Sequence, residues 1–160
     1  MPKEKKFKKA IFAAGCFWGV EKAFFEKPGV ENTQVGYIGG TKKNPTYEEV
    51  CTGRTGHAEA VEVNYDPRKI TYNKLLDVFW KIHDPTTPNQ QGPDIGSQYR
   101  SAIFYLDDEQ KKQAEKSKQK MQKTGLLGDK EIVTEIIKAG EFFPAEKYHQ
   151  KYFIKHPGVC

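Results

Sequence analysis

Apolar and polar positions alternate from residue 7 and then merge into Ala10-Ile11-Phe12-Ala13-Ala14, apolar on both faces, as in a strand with neighbours on either side. The period changes at Phe17. Phe17, Val20, Ala23 and Phe24 follow helical spacing to residue 26, and Pro28-Gly29 stops the helix. A second, less regular strand is predicted over 30–38, closed by Gly39-Gly40. The polar, glycine-bearing stretch 41–56 is too long for a tight hairpin and reads as a functional loop. Residues 57–65 form a third strand whose parity is informative. Glu59 shares a face with Val61, Val63 and Tyr65, whereas Glu62 shares the other with Asn64.

Past the Asp66-Pro67 turn, Thr71 caps a helix with Leu75, Leu76, Phe79, Trp80 and Ile82 on its apolar stripe, ending near Asp84-Pro85. Residues 85–99 read as loop, and 100–106 alternate as a strand. Asp107-Asp108-Glu109 opens a lysine-rich helix to residue 123 whose thin stripe, Ala114 and Met121, places it on the surface. A short strand over 132–137 and a short helix over 145–152 complete the chain. The order β-α-β-β-α-β predicts an α+β fold, a two-layer sandwich with a ferredoxin-like core, an extra surface helix and a C-terminal tail. No repeat and no second core interrupt it, so residues 1–160 read as a single catalytic domain with a mobile tail over 154–160.

Charge changes this picture little. The 26 basic and 21 acidic side chains leave +5, but Lys3, Lys5, Lys6, Lys8 and Lys9 crowd the first nine residues against Glu4. The remainder is nearly neutral, so residues 1–9 read as a flexible basic lead-in rather than a phosphate-binding surface. No apolar stretch approaches the ~20 residues that span a bilayer, and no apolar segment follows the lysines to make a signal peptide. The expectation is a cytoplasmic monomer without membrane or nucleic-acid partners. Its three cysteines, Cys16, Cys51 and Cys160, form neither a disulfide framework nor a metal-binding spacing.

Candidate chemistry gathers at Gly15-Cys16-Phe17-Trp18-Gly19, a strand-to-helix turn. Unpaired N–H groups and the positive end of the helix dipole favour a thiolate at Cys16, where an ordinary thiol is only a few per cent ionised at neutral pH. Phe17 and Trp18 set apolar surface beside it, although a cysteine there also suits plain packing. Glu59 either faces the core, which raises its pKa, or escapes to solvent at the strand end. Each polar loop carries a tyrosine, Tyr47 in Asn44-Pro45-Thr46-Tyr47 and Tyr99 in Gly92-Pro93-Asp94-Ile95-Gly96-Ser97-Gln98-Tyr99-Arg100.

Together with Gly56-His57-Ala58-Glu59-Ala60-Val61 and Tyr99-Arg100-Ser101-Ala102-Ile103, these motifs resemble the A-type peptide methionine sulfoxide reductases, from about residue 9 to the end. The resemblance implies reduction of methionine S-sulfoxide, free or in oxidised proteins, with Cys16 as nucleophile and Glu59 as proton donor. It implies Tyr47, Tyr99 and Asp94 as the polar groups around the site, and Phe17 and Trp18 as the pocket for the S-methyl group. A sulfenic acid on Cys16 then condenses with a second thiol, and thioredoxin or another dithiol reduces the disulfide, with no cofactor and no metal. Many relatives continue into a longer, glycine-rich tail, whereas this chain stops at Cys160. Cys160, beyond a Pro-Gly breaker, is the expected resolving thiol. Cys51, bracketed by Glu48 and Glu49, is expected to be structural.

Two rivals are discriminated by residues. An RNA-recognition module needs a basic-Gly-aromatic signature on its third strand, and 57–65 carries none. A cysteine peroxidase shares the sulfenic chemistry but has no use for a methyl pocket at Phe17-Trp18.

Overall fold

The computed structural model describes residues 7–155. In chain order its elements are β1 (Lys8–Ala14), α1 (Phe17–Phe25), β2 (Val30–Ile38), α2 (Tyr47–Cys51), β3 (Ala58–Tyr65), α3 (Tyr72–Lys81), β4 (Gln90–Gln91), β5 (Asp94–Ile95), β6 (Ser101–Tyr105), α4 (Asp108–Lys123), β7 (Glu135–Lys138), β8 (Phe143–Pro144) and α5 (Tyr152–Lys155). Single 3₁₀ turns lie at Ser97–Tyr99 and Lys147–His149. The result is a mixed α/β fold around a mostly antiparallel sheet of order β7-β6-β1-β3-β2-β8, in which β6 and β7 are parallel. Strands β4 and β5 make a separate small hairpin.

The two faces of the sheet are packed differently. On one, Phe12 stacks on Phe24 at 5.0 Å and lies 5.3 Å from Phe79 and 6.0 Å from Tyr72, joining β1 to α1 and α3. Phe12 has no exposed surface, so deleting its ring would cost about 3–5 kcal/mol. The other face presents Ile11, Ala13, Ala58, Ala60 and Ala102 with Phe104, and is covered by the chain at Ala139 and Phe142. The close approach requires Gly36. A Cβ there would strike the Phe143 carbonyl and the Phe142 ring, so only glycine lets β8 pair with β2.

Several expected elements are corrected. The stretch 41–56 contains α2, because Thr46 and Glu49 form a reciprocal capping box, Thr46 N–H to Glu49 Oε1 at 2.9 Å and Glu49 N–H to Thr46 Oγ1 at 3.1 Å. The stretch 85–99 contains the β4–β5 hairpin and a 3₁₀ turn. The strand expected from 132 starts at Glu135, since the Ile132 and Val133 amides bond to Gln122 and to the Pro85 carbonyl instead of the sheet. The helix expected over 145–152 is a 3₁₀ turn followed, after Lys151 at φ 57°, by α5. Lys8 and Lys9 belong to the sheet, opposite Tyr65 and Asn64, rather than to a lead-in, and residues 1–6 and 156–160 lie outside the described residues. Among the described residues no helix is long and apolar enough to cross a membrane.

Strand direction sets up the site. Because β1 and β3 are antiparallel with Phe12 opposite Val61, the end of β1 lies beside the start of β3. Cys16 and Glu59 therefore become neighbours although 43 positions separate them.

Candidate active site

Gly15 turns the chain out of β1 at φ 101°, a conformation that an L side chain resists, and a Cβ there would meet Gln91 Cγ at 2.8 Å. Cys16 follows as the N-cap of α1. Burial pushes its thiol up to about 11; the Trp18 and Gly19 amides favour the thiolate, whereas the charges of Glu59 and Asp94 oppose it. The amides expected at a helix start are present, but desolvation outweighs them. Cys16 is held as a thiol, contrary to the thiolate expected from position alone.

Glu59, the second residue of β3, is 1 % exposed, which settles its orientation toward the interior. Its Oε1 accepts the Phe17 amide at 3.2 Å, while Oε2 is buried with no hydrogen-bond partner. Burial pushes this carboxyl up to about 8, against the Phe17 amide and with a further push from Asp94. It is a neutral acid at neutral pH with one oxygen free to act. An orphaned carboxyl oxygen in a folded interior calls for an explanation, and a proton-donating role supplies one.

Tyr47, Tyr99 and Asp94 reach the same place from three separate segments. Tyr47 opens α2, Tyr99 ends the 3₁₀ turn, and Asp94 sits on the β4–β5 hairpin. Burial holds the Tyr47 hydroxyl well above its ordinary value, with its bond to the Cys51 thiol adding to the shift. Burial likewise pushes Tyr99 up to about 12, and the charges it feels are those of Glu59, Cys51, Asp94 and Cys16. Both phenols are therefore protonated, the Tyr47 hydroxyl against the Cys51 thiol and the Tyr99 hydroxyl among Glu59, Asp94 and Cys16. Cys51 stands closer to this chemistry than expected. It is exposed at the end of α2, and its pKa is raised by partial desolvation, against the Tyr47 hydroxyl, which lowers it, and with Glu59 and Glu48 adding to the rise; Glu49 is instead engaged by Lys42 at 3.2 Å. Cys160 lies outside the described residues.

Phe17 is buried, 5.7 Å from the Tyr37 ring, and Trp18 is half-buried. Trp18 stacks on Tyr152 of α5 at 3.9 Å and donates its indole N–H to His149 Nδ1 at 3.0 Å. Glu146 accepts the Tyr37 hydroxyl and the Tyr47 amide, each at 2.9 Å. Sequence reading missed Glu146, His149 and Tyr152 because their segment has no period of its own. The available signal was a run of aromatic and polar residues, Tyr148-His149-Gln150-Lys151-Tyr152-Phe153, too rich in rings for a solvated tail. Among the described residues, no group of three or more His, Cys, Asp or Glu is placed to hold a metal ion.

Residues 8–160 match the family model described as peptide methionine sulfoxide reductase. The chain is 58% identical over 158 residues to a peptide methionine sulfoxide reductase MsrA of Methanoculleus marisnigri, covering 99% of this chain and 96% of that protein. Among solved structures it is similar to the reduced form of Mxr1 from Saccharomyces cerevisiae, with a TM-score of 0.90 at 39% identity, covering 100% of this chain and 91% of that one. It is also similar to Mxr1 in complex with Trx2, with a TM-score of 0.65 at 28% identity, covering 95% of this chain and 88% of that one.

Proposed function

Because the chain belongs to the peptide methionine sulfoxide reductase family, we propose that it reduces methionine S-sulfoxide, free or in oxidised proteins, through Cys16 and Glu59. The observation that carries this reading is the buried Glu59 carboxyl beside the Cys16 turn, its Oε1 held by the Phe17 amide at 3.2 Å and its Oε2 without a hydrogen-bond partner, where burial favours a proton on the carboxyl and on the Cys16 thiol. A sulfoxide oxygen becomes a leaving group only as it gains a proton, and Glu59 Oε2 has no competing partner. The Cys16 sulfur attacks the sulfoxide sulfur while Glu59 protonates the oxygen. The attack joins the two sulfurs and the S–O bond of the substrate breaks; the hydroxyl then adds to the Cys16 sulfur as the bond between the two sulfurs breaks, leaving Cys16 as a sulfenic acid and releasing the sulfide. The thiol proton restores Glu59, so the step is proton-neutral. Tyr47 and Tyr99, with Asp94 beside them, supply donors toward the oxygen, and Phe17 and Trp18 face the S-methyl group.

The sulfenic acid is then attacked by Cys160, forming a disulfide and releasing water, and thioredoxin or another dithiol returns both cysteines to thiols. The likeness to Mxr1 in complex with Trx2 supports that partner. No cofactor enters this cycle. The inner strand order β6-β1-β3-β2 supports reading the core as the ferredoxin-like split βαβ, and the reading as a whole is of one catalytic domain working as a cytoplasmic monomer.

The test compares turnover of methionine sulfoxide with that of hydrogen peroxide under one small dithiol. Preference for the sulfoxide, and no methionine from Cys16→Ser even in a single turnover, is the expected result. Faster turnover of peroxide, or stoichiometric methionine from the serine variant, overturns it.

A further inference from the structure

His149 is 2 % exposed and is ringed by aromatic side chains, 4.5 Å from Tyr47, 5.2 Å from Phe17 and 5.7 Å from Trp18 between ring centres. Its two nitrogens have different fates. Nδ1 faces the Trp18 indole N–H at 3.0 Å, and an indole only donates, so Nδ1 is the acceptor and the proton of the neutral ring sits on Nε2. Nε2 is buried without a hydrogen-bond partner, 4.0 Å from Glu146 Oε1. That is too long for a hydrogen bond but near enough for the carboxylate to favour a proton on that side. Glu146 in turn holds the Tyr47 amide at 2.9 Å. Burial holds the His149 ring below its ordinary pKa, against Glu146 and Glu48, which keeps it neutral with Nδ1 able to accept.

We infer that His149 is a positioning residue, which as the Nε2–H tautomer fixes the indole of Trp18 against the substrate's S-methyl group. This rests on Trp18 lining the methyl pocket as proposed above. The stack of Trp18 on Tyr152, planes 13° apart, restrains the indole from leaving its plane but not from turning within it. The bond to Nδ1 supplies the missing restraint. Contact with a methyl group is made before and during reaction alike, so its loss appears in KM more than in kcat.

Two variants separate the acceptor from the ring. His149→Phe keeps the aromatic packing and removes the acceptor, whereas His149→Asn keeps an oxygen near the Nδ1 position and removes the ring. With methionine sulfoxide and excess small dithiol, the Phe variant is expected to raise KM about tenfold with kcat within about threefold, and the Asn variant to keep KM within about threefold. The Trp18 indole N–H resonance, told from that of Trp80 by Trp80→Phe, is expected to move upfield in the Phe variant and to stay in place in the Asn variant. An unmoved resonance in the Phe variant, an unchanged KM there, or an Asn variant as impaired as the Phe variant overturns the inference. The resonance is read without substrate, so it reports on the His149–Trp18 link even should the parent fail to reduce sulfoxides.

Discussion

Two glutamates on the helical side of the sheet are equally buried, each 1 % exposed, and are treated in opposite ways. Glu21 on α1 is saturated with donors. The Thr33 hydroxyl reaches it at 2.7 Å, the Lys151 amide at 2.6 Å and the Lys151 ammonium at 3.5 Å. Glu59 receives one amide at 3.2 Å and nothing on its second oxygen. A buried carboxylate with three donors acts as a clasp, here holding the C-terminal segment to α1 and β2. A buried carboxyl with one donor is cheaper to keep protonated, and a protonated carboxyl can give its proton away. Burial does not distinguish the two acids; donor count does.

The largest effect expected from this contrast is that of Glu59→Gln. The amide occupies the same space and bonds the same way but has no proton to transfer, so the first turnover should slow by about a hundredfold or more at pH 7. Rapid-quench measurement of methionine released per enzyme reads it directly, and a variant as fast as its parent would break the contrast.

The second effect is on pH dependence. Glu59 acts as an acid only while protonated, and its carboxyl titrates near 8, so the first step should be flat below that pH and fall about tenfold per unit above it. Stability should follow the same group. Its pKa is raised on folding, so the neutral buried form is tolerated at low pH, and stability is lost as pH climbs from the unfolded value near 4.5 to about 8, by roughly 5 kcal/mol. Urea midpoints of the parent against Glu59→Gln between pH 5 and 8 should diverge in that direction, the variant showing the flatter curve.

The two acids also differ in how far the sequence announced them. Glu59 stands out because a strand's period of two puts it on the same face as Val61 and Val63, and strand parity survives folding unchanged. Cys16, the proposed nucleophile, was legible for a similar reason, since a glycine-bracketed cysteine where one period replaces another marks an element boundary. The strand and helix order was legible from its long periodic segments. Glu21 was not, because on a helix of nine residues one polar position looks solvent-facing until Lys151, 130 positions away, arrives to cover it. Residues 143–155 stayed dark for the same reason. They have no period, and their 3₁₀ turn, positive-φ lysine and short helix are fixed by partners on α1, α2 and β2, not by neighbours in sequence. The ionisation of Cys16 was misjudged because the helix-start amides are local and readable, whereas the depth of burial that outweighs them is set by the whole fold.

Glu21→Ala should then show the converse of Glu59→Gln. It strips the Thr33 hydroxyl and the Lys151 amide of their acceptor inside the protein, and stability should fall by about 3 kcal/mol in urea. The first turnover should stay within about tenfold, because Gln150 still pins the segment through Val35 N–H at 2.9 Å and the Val35 carbonyl at 2.9 Å. A loss of activity as large as that of Glu59→Gln, in a variant shown to be folded, would make Glu21 more than a clasp.

The smallest effect is expected at Cys51, and it sharpens the contrast because Cys51 is a thiol within electrostatic reach of Glu59. Proximity argues for it as the resolving thiol, but its chemistry argues against. Attack on a sulfenic acid needs a thiolate, and partial desolvation, with Glu59 and Glu48 adding, raises Cys51 above its ordinary pKa despite the opposing Tyr47 hydroxyl. Its position at the end of α2 is also fixed by the Thr46–Glu49 capping box, whereas a disulfide to Cys16 needs the two Cα atoms within about 7 Å. Cys160 follows a Pro-Gly breaker that permits a sharp turn of the chain. Cys160→Ser should therefore release one methionine per enzyme at the parental rate and then stall with Cys16 as sulfenic acid when thioredoxin is the reductant. Cys51→Ser should cycle like the parent. Peptide mapping of the oxidised protein decides between them, and a Cys16–Cys51 linkage in place of Cys16–Cys160 would show that Cys51 resolves the intermediate despite its raised pKa.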